Sequence, residues 1–445
     1  MTHMKSLGML ASLFAFAASA ALAAPPKAPS FKTEIQFQGS DAWNIVGNLV
    51  LFGKSVVGTS GGTSSVVMLK PPATTGAGWQ TLNLHSFPSY AGDGEYPVAG
   101  VFLTNGQIFG STSGGGNSVC ADGCGTVFQL SPPTVAGNPW TETQLIAFGQ
   151  DNNGYGPEDT VVADGVTKVF GTTVHAANDT IHPNGTSPVG GVVFELDRPA
   201  GGTGPWKETV LHHFDGASED GDTPFGGLII GPDHILYGTT FSGGICNQGT
   251  VYSLTPPAKK GGAWTETRLH DFGNAGTYCN YNDGEEPVAA LTLVNGTLYG
   301  TTRAGGPASC GTAFTLPLSN PANYQLIYAF GQTSSDSCSP QAPVRVDASG
   351  NIFGTTGFGG GAPVSTECSI GCGTLFKLSP AAPGASYTNT ILHAFTGGTD
   401  GSEPRSNLLG SLSITLSSVA SRGGFATDTS EPDYASYGVF FKYTE

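Results

Sequence analysis

Four acidic clusters recur ahead of a proline, and they are the first residues in this chain whose types and spacing could do chemistry. Asp93-Gly94-Glu95, Asp220-Gly221-Asp222, Asp283-Gly284-Glu285-Glu286 and Asp400-Gly401-Ser402-Glu403 precede Pro97, Pro224, Pro287 and Pro404. Hard cations take several oxygen ligands, so a ring of these carboxylates could hold Ca2+ or the hydroxyls of a sugar. Asp-Gly turns with a proline opening the next strand explain much of the same pattern without any ligand. No twelve-residue Ca2+ loop is present. Ca2+ is therefore the one inorganic ligand these loops suggest, and no cofactor is expected. A second candidate set lies in segment 174–190, where His175, Asp179 and His182 offer two imidazoles and a carboxylate to a transition metal. Their spacing fits no strong metal motif, and a solvated loop is the competing reading.

Other chemistry-bearing residues repeat too regularly to be single catalytic groups. His85, His212, His270 and His393 recur in register, which favours hydrogen bonding within each repeat over a general base. Trp79, Trp140, Trp206, Trp264, Tyr324 and Tyr387 recur likewise; they are sugar platforms or packing residues, and repetition favours packing. A lone Gly-x-Ser-x-Gly, Gly58 to Gly62, lacks the strand-to-helix elbow such a nucleophile needs. No His-Glu-x-x-His, phosphate loop or dinucleotide fingerprint occurs.

The elements that must position these residues come from an internal repeat of about 60 residues. One block reads Ile235-Leu236-Tyr237-Gly238-Thr239-Thr240, then Gly243-Gly244, then Gly249-Thr250-Val251-Tyr252. It returns from Leu298, Ile352, Ile108 and Val169, in worn form at Val57-Gly58-Thr59, and most degenerate at Leu416 to Gly424. A second signature, an aromatic followed by Leu-His-x-Phe or a variant, follows six of the seven blocks. The seventh copy sits at the other end of the chain, Phe31 to Phe37. Each repeat holds four short strands with period-two alternation, separated by Gly, Pro, Asn and Asp. A lone four-stranded sheet cannot bury both faces, whereas seven packed radially can. The expected fold is all-β, a seven-bladed β-propeller with four antiparallel strands per blade. Phe31 to Phe37 is expected to close the final blade as its outer strand beside Val439–Lys442.

Composition bounds the partners. Charged residues are 11% of the chain, glycines number 67, and net charge is −16. Such a surface repels phosphate backbones and anionic headgroups, which argues against nucleic acid and membrane surfaces. Lys5, the apolar run to Leu22 and the small residues before Ala24 read as a signal peptide over 1–23. Segment 24–30 reads as a lead-in and 31–445 as one domain, monomeric and secreted or periplasmic, with no later membrane anchor. The even count of 8 cysteines then implies disulfides. All fall in the loops between second and third strands or in the links between blades, which share one face of a propeller. The expected pairs are Cys120–Cys124, Cys368–Cys372, Cys246–Cys279 and Cys310–Cys338.

The Tyr/Phe-Gly-Thr-Thr, Gly-Gly, Gly-Thr-Val-Phe and Leu-His-x-Phe series resembles the tandem repeats of the choice-of-anchor GloVer family over nearly the whole mature chain. The resemblance implies an exported bacterial protein and supplies no catalytic residues. Two functions remain in view. One is a non-catalytic binding or scaffold module for an extracellular glycan, protein or cell-envelope component. The other is a polysaccharide-active lyase or glycoside hydrolase, which needs carboxylates or histidines converging at the channel mouth.

Overall fold

A computed structural model describes residues 29–444 apart from 38–43, 75, 89–91, 121, 136, 150–152, 177–189, 203, 217–219, 260, 274–277, 362–367, 369, 382–385, 412–414 and 423–437. The expected signal peptide thus lies outside the described residues.

The strands form seven antiparallel four-stranded blades. From channel to rim, blade 1 is Ile45–Phe52, Ser55–Ser60, Ser65–Lys70 and Gln80–Ser86. Blade 2 is Val101–Thr104, Gln107–Thr112, Thr126–Ser131 and Thr141–Ala147; blade 3 is Val162–Asp164, Lys168–Thr173, Gly191–Asp197 and Lys207–Phe214. Blade 4 is Gly226–Ile230, Leu236–Thr240, Thr250–Thr255 and Thr265–Asp271; blade 5 is Thr292–Val294, Thr297–Thr302, Thr312–Pro317 and Gln325–Ala329. Blade 6 is Arg345–Val346, Ile352–Gly359, Thr374–Pro380 and Tyr387–Ala394. Blade 7 is Leu409–Ser411, Thr415–Ala420, Val439–Thr444 and, from the other end of the chain, Ser30–Gln36.

Each motif has a packing cause. In the Tyr/Phe-Gly-Thr-Thr strand the glycine faces an aromatic of the third strand. A Cβ on Gly110, Gly171, Gly300 or Gly354 would stand 2.3–2.5 Å from the ring of Phe128, Phe194, Phe314 or Phe376. Those rings are fully buried, roughly 2–3 kcal/mol each. The second threonine bonds across to the third strand, Thr240 to Thr250 at 2.9 Å and Thr356 to Thr374 at 2.8 Å. In Leu-His-x-Phe the leucine is a β-bulge. Leu269 stands unpaired between Arg268, opposite Tyr252, and His270, opposite Val251. The same register shift recurs in all seven blades. It re-aims the histidine toward the next blade.

The seam closes as expected. Phe31 pairs with Tyr443 and Gln36 with Val439, which covers an otherwise open strand edge. The strand starts at Ser30, one residue inside the segment read as lead-in. On the channel side the Asn407 carboxamide bridges blades 7 and 1, accepting from the Leu49 N–H at 2.6 Å and donating to its carbonyl at 3.1 Å.

Candidate functional site

Every link between blades does two jobs, divided by its proline. Ahead of the proline, the acids read as possible ligands face neighbouring blades. His212, His270 and His393 Nε2 lie 3.4, 3.1 and 3.0 Å from Asp220, Asp283 and Asp400. His85 stands further off, 3.8 Å from Asp93. Burial alone would raise the Asp220 and Asp400 carboxyls, but hydrogen bonds from His212 and His393 and from nearby donors hold them below their ordinary value. The histidines are therefore structural partners of the link acids. Asp222 is taken up by the Gly190 N–H (2.7 Å) and the Thr223 and Ser242 hydroxyls. Glu403, 7% exposed, pairs with Arg405 and Arg422. Glu95 and Glu285 sit in short bridges to the following loop. These eight acids are thus dispersed around the rim. Among the described residues no three His, Cys, Asp or Glu side chains gather as a metal site. His175 packs against Tyr155, ring centroids 4.6 Å apart, while Asp179 and His182 lie outside the described residues.

Behind the proline the chain turns into the channel, and there the side chains differ from blade to blade. The residue directly after it is Val98, Glu158, Phe225, Val288, Gln341 and Arg405 in blades 2 to 7. All six line one cavity of about 560 Å³ at the mouth of the channel. Phe241 and Arg303, each directly after a Thr-Thr pair, complete its rim, and Asn48 of blade 1 joins them. Sequence reading looked for long insertions and missed these positions. The signal was present as substitution at constant spacing, valine in some copies and glutamate, glutamine or arginine in others.

The cavity is electrostatically polarised. On the blade 3 side burial raises the Glu158 carboxyl, and no hydrogen bond engages it among the described residues. Its neighbour Asp159 is pushed up to about 7 by burial, although the N–H groups of Thr160 and Gly227 bond to it at 2.5 Å. Across the channel Arg303 grips Glu286 through Nε (2.8 Å) and an Nη (2.5 Å). Its guanidinium also lies 5.4 Å from the Phe241 ring centroid. Arg405 pairs with Glu403 at 2.8 Å. Phe225 and Phe241, centroids 6.4 Å apart, form an apolar wall between the two sides.

The disulfides brace this same face. Cys120–Cys124 and Cys368–Cys372 close single loops, and Cys246–Cys279 and Cys310–Cys338 tie a loop to the following link, as expected. No cysteine is free.

The repeat so described matches a sequence profile, the Gloeobacter/Verrucomicrobia repeat, over residues 47–278 and 179–430. The chain belongs to that family. No curated protein matches this Gloeobacter/Verrucomicrobia repeat chain in sequence. Among solved structures it is similar to a streptogramin B lyase, with 12% identity, TM-score 0.50, and 94% of this chain and 98% of that one covered. A luciferin-regenerating enzyme aligns at 9% identity and TM-score 0.42, covering 94% and 95%. A puromycin hydrolase aligns at 11% and 0.45, covering 91% of this chain and 54% of that one. At 12% identity the likeness to the lyase bears on the fold alone. Among the described residues no helix is long and apolar enough to cross a membrane.

Proposed function

We propose that this is an exported binding propeller that takes an extracellular saccharide at the disulfide-braced channel mouth. The observation that carries the reading is the convergence of unrepeated polar side chains, Glu158, Gln341, Arg303 and Arg405, around an aromatic wall in one cavity. Sugars present an apolar ring face and a rim of hydroxyls, and this lining offers a partner for each. Tyr96, Tyr278 and Tyr281, 47%, 82% and 50% exposed on links of the same face, extend the aromatic surface beyond the cavity. The reading of 1–23 as a leader and the pairing of the cysteines support export. The test is a glycan array on the mature protein with a Glu158→Gln, Gln341→Ala control. Binding that the double variant loses supports the reading, and a blank array overturns it.

A polysaccharide-active enzyme is the second reading, favoured by one observation. Asp159, pushed up to about 7, adjoins Glu158, which burial also raises, and acid–base catalysis works best with a group poised near the operating pH. A reducing-sugar assay on the array-positive polymer separates the two. Turnover lost in Glu158→Gln selects the enzyme, and binding without turnover selects the module.

A further inference from the structure

The sugar reading leaves open which saccharide the site takes, and the placement of arginine narrows it. The chain has only six arginines; two of them, Arg303 and Arg405, line the channel mouth, and a third, Arg422, stands behind Arg405 on Glu403. They feel one another: burial lowers the Arg405 guanidinium most, and the charges of Arg422 and Arg303 lower it further against the pull of Glu403. Two carboxylates, Glu286 and Glu403, answer these three cations. Arg405 and Arg422 therefore share one carboxylate, that of Glu403. The paired groups also leave donors unused. Among the described residues Arg303 bonds through Nε and one Nη, and Arg405 through a single Nη. Among the described residues the buried Nε of Arg405 has no hydrogen-bond partner.

We infer that the ligand carries a carboxylate, so that the site takes an acidic sugar, a hexuronate unit of an oligosaccharide, with its carboxyl against Arg303 and Arg405. The inference rests on the saccharide reading above. Guanidinium suits a planar carboxylate because its donors form a fixed fork. The contacts of Arg303 with Glu286 and with the Phe241 ring restrain that fork, which lowers the ordering cost of binding. Gln341, from the blade between those that supply the two arginines, offers an amide to the same group or its neighbouring hydroxyl. Glu158 across the cavity sets the orientation. A ligand carboxylate placed beside it would meet like charge, whereas a hydroxyl there can donate to it. The ring's apolar face then lies toward Phe225 and Phe241. Net charge decides how acidic the ligand is. A protein at −16 repels dense polyanions at long range, so a polysulfated chain is disfavoured while a single carboxylate, or one spaced by neutral sugars, is not.

Titration calorimetry on the full mature chain tests this with a matched pair, a hexuronate trisaccharide and the same trisaccharide with its carboxyls reduced to hydroxymethyl groups. The acid form should bind at least about tenfold tighter, the size of one charge-assisted hydrogen bond, and the gap should narrow as salt rises. Arg405→Gln should erase the preference, so that the acid and the reduced form bind alike. Arg303→Gln, whose partner Glu286 is more exposed, is the second variant should Arg405→Gln fail to fold. Equal affinity for the two forms, or a preference that survives Arg303→Gln, overturns the inference and leaves the saccharide reading standing. Binding of neither form overturns both.

Discussion

Blades 4 and 5 meet through His270, Asp283 and Tyr324, whereas blades 2 and 3 meet through Ile146, Asn153 and Glu208 at the same three places. In the first interface the imidazole bonds the link acid at 3.1 Å and stacks on Tyr324, with ring centroids 3.7 Å apart. In the second there is no imidazole, and the link residue is an amide that donates to Glu208 at 2.7 Å. The histidine and the aspartate are lost together. Blade 6 follows the same rule with a phenol, for Tyr328 donates to Asp336 at 2.9 Å. At Asp220, Asp283, Asp336 and Asp400 the preceding outer strand places a partner within hydrogen-bonding distance, which offsets the several kcal/mol that an unpaired buried charge costs; only at Asp93 does the histidine stand off, at 3.8 Å. Internal repetition thus reveals a contact in the way covarying homologues would.

The seam between blades 7 and 1 is the extreme case, since Ile35 stands at the histidine position and the outer strand is borrowed from the far end of the chain. Removing residues up to Gln38 should have the largest effect of any change considered. It exposes the edge of Val439–Thr444 and uncovers Phe441 and Tyr443. We expect the melting temperature to fall by more than about 10 °C, with aggregation, in a thermal scan. An unchanged melting curve would show that the pairing carries no stability. Next comes Asp283→Ala, which strips partners from His270 and from the Gly273 N–H and should cost about 2 kcal/mol in urea unfolding. The same substitution at Asn153 should cost less, because no imidazole depends on it. If Asn153→Ala proves the more damaging, the comparison fails.

Asn153→Asp sharpens it further by placing a second acid beside Glu208 with nothing to balance it. The loss should be about 1 kcal/mol or more at neutral pH, and Ile146→His in the same chain should recover part of it. Strictly additive single and double variants would deny that the two positions act as a pair.

The smallest effect is in the pH dependence. Burial pushes Glu208 up to about 7 despite its bond from Asn153, and it pushes Glu142 up to about 7 with help from the charge of Asp93. The folded protein therefore keeps protons that the unfolded chain releases near pH 4. Stability from these groups is fully present below about pH 4 and falls as pH climbs to about 7. Wild type should lose unfolding free energy between pH 5 and pH 8, and Glu208→Gln should lose less. Equal losses would place the pH dependence elsewhere.

Much of the fold was legible because repetition supplies seven readings of one pattern. Tyr237-Gly238-Thr239-Thr240 and Leu269-His270 mark a strand and a bulge whichever copy is read, and seven blocks offset from seven outer strands force Ser30–Gln36 onto the last blade. The cysteine pairs followed from the same layout. The site was less legible for the converse reason. Acids that recur, such as Asp220 and Asp283, recur because each blade needs them. Glu158, Gln341 and Arg405 do not recur, and they meet only because six turns of the chain arrive at one channel. Their distance from one another in sequence hides what the ring brings together.

The borrowed strand also imposes an order in time. The segment that completes blade 7 is made first, and its partner, Val439–Thr444, is made last. Blades 1 to 6 can each fold from contiguous chain, but Ser30–Gln36 has no partner until Val439–Thr444 has emerged. Closure is therefore the most non-local step in this molecule and the slow one, governed by the search between two distant ends. Until it happens the blades form a row with two open edges. A finished ring reports that every residue between its ends has been delivered.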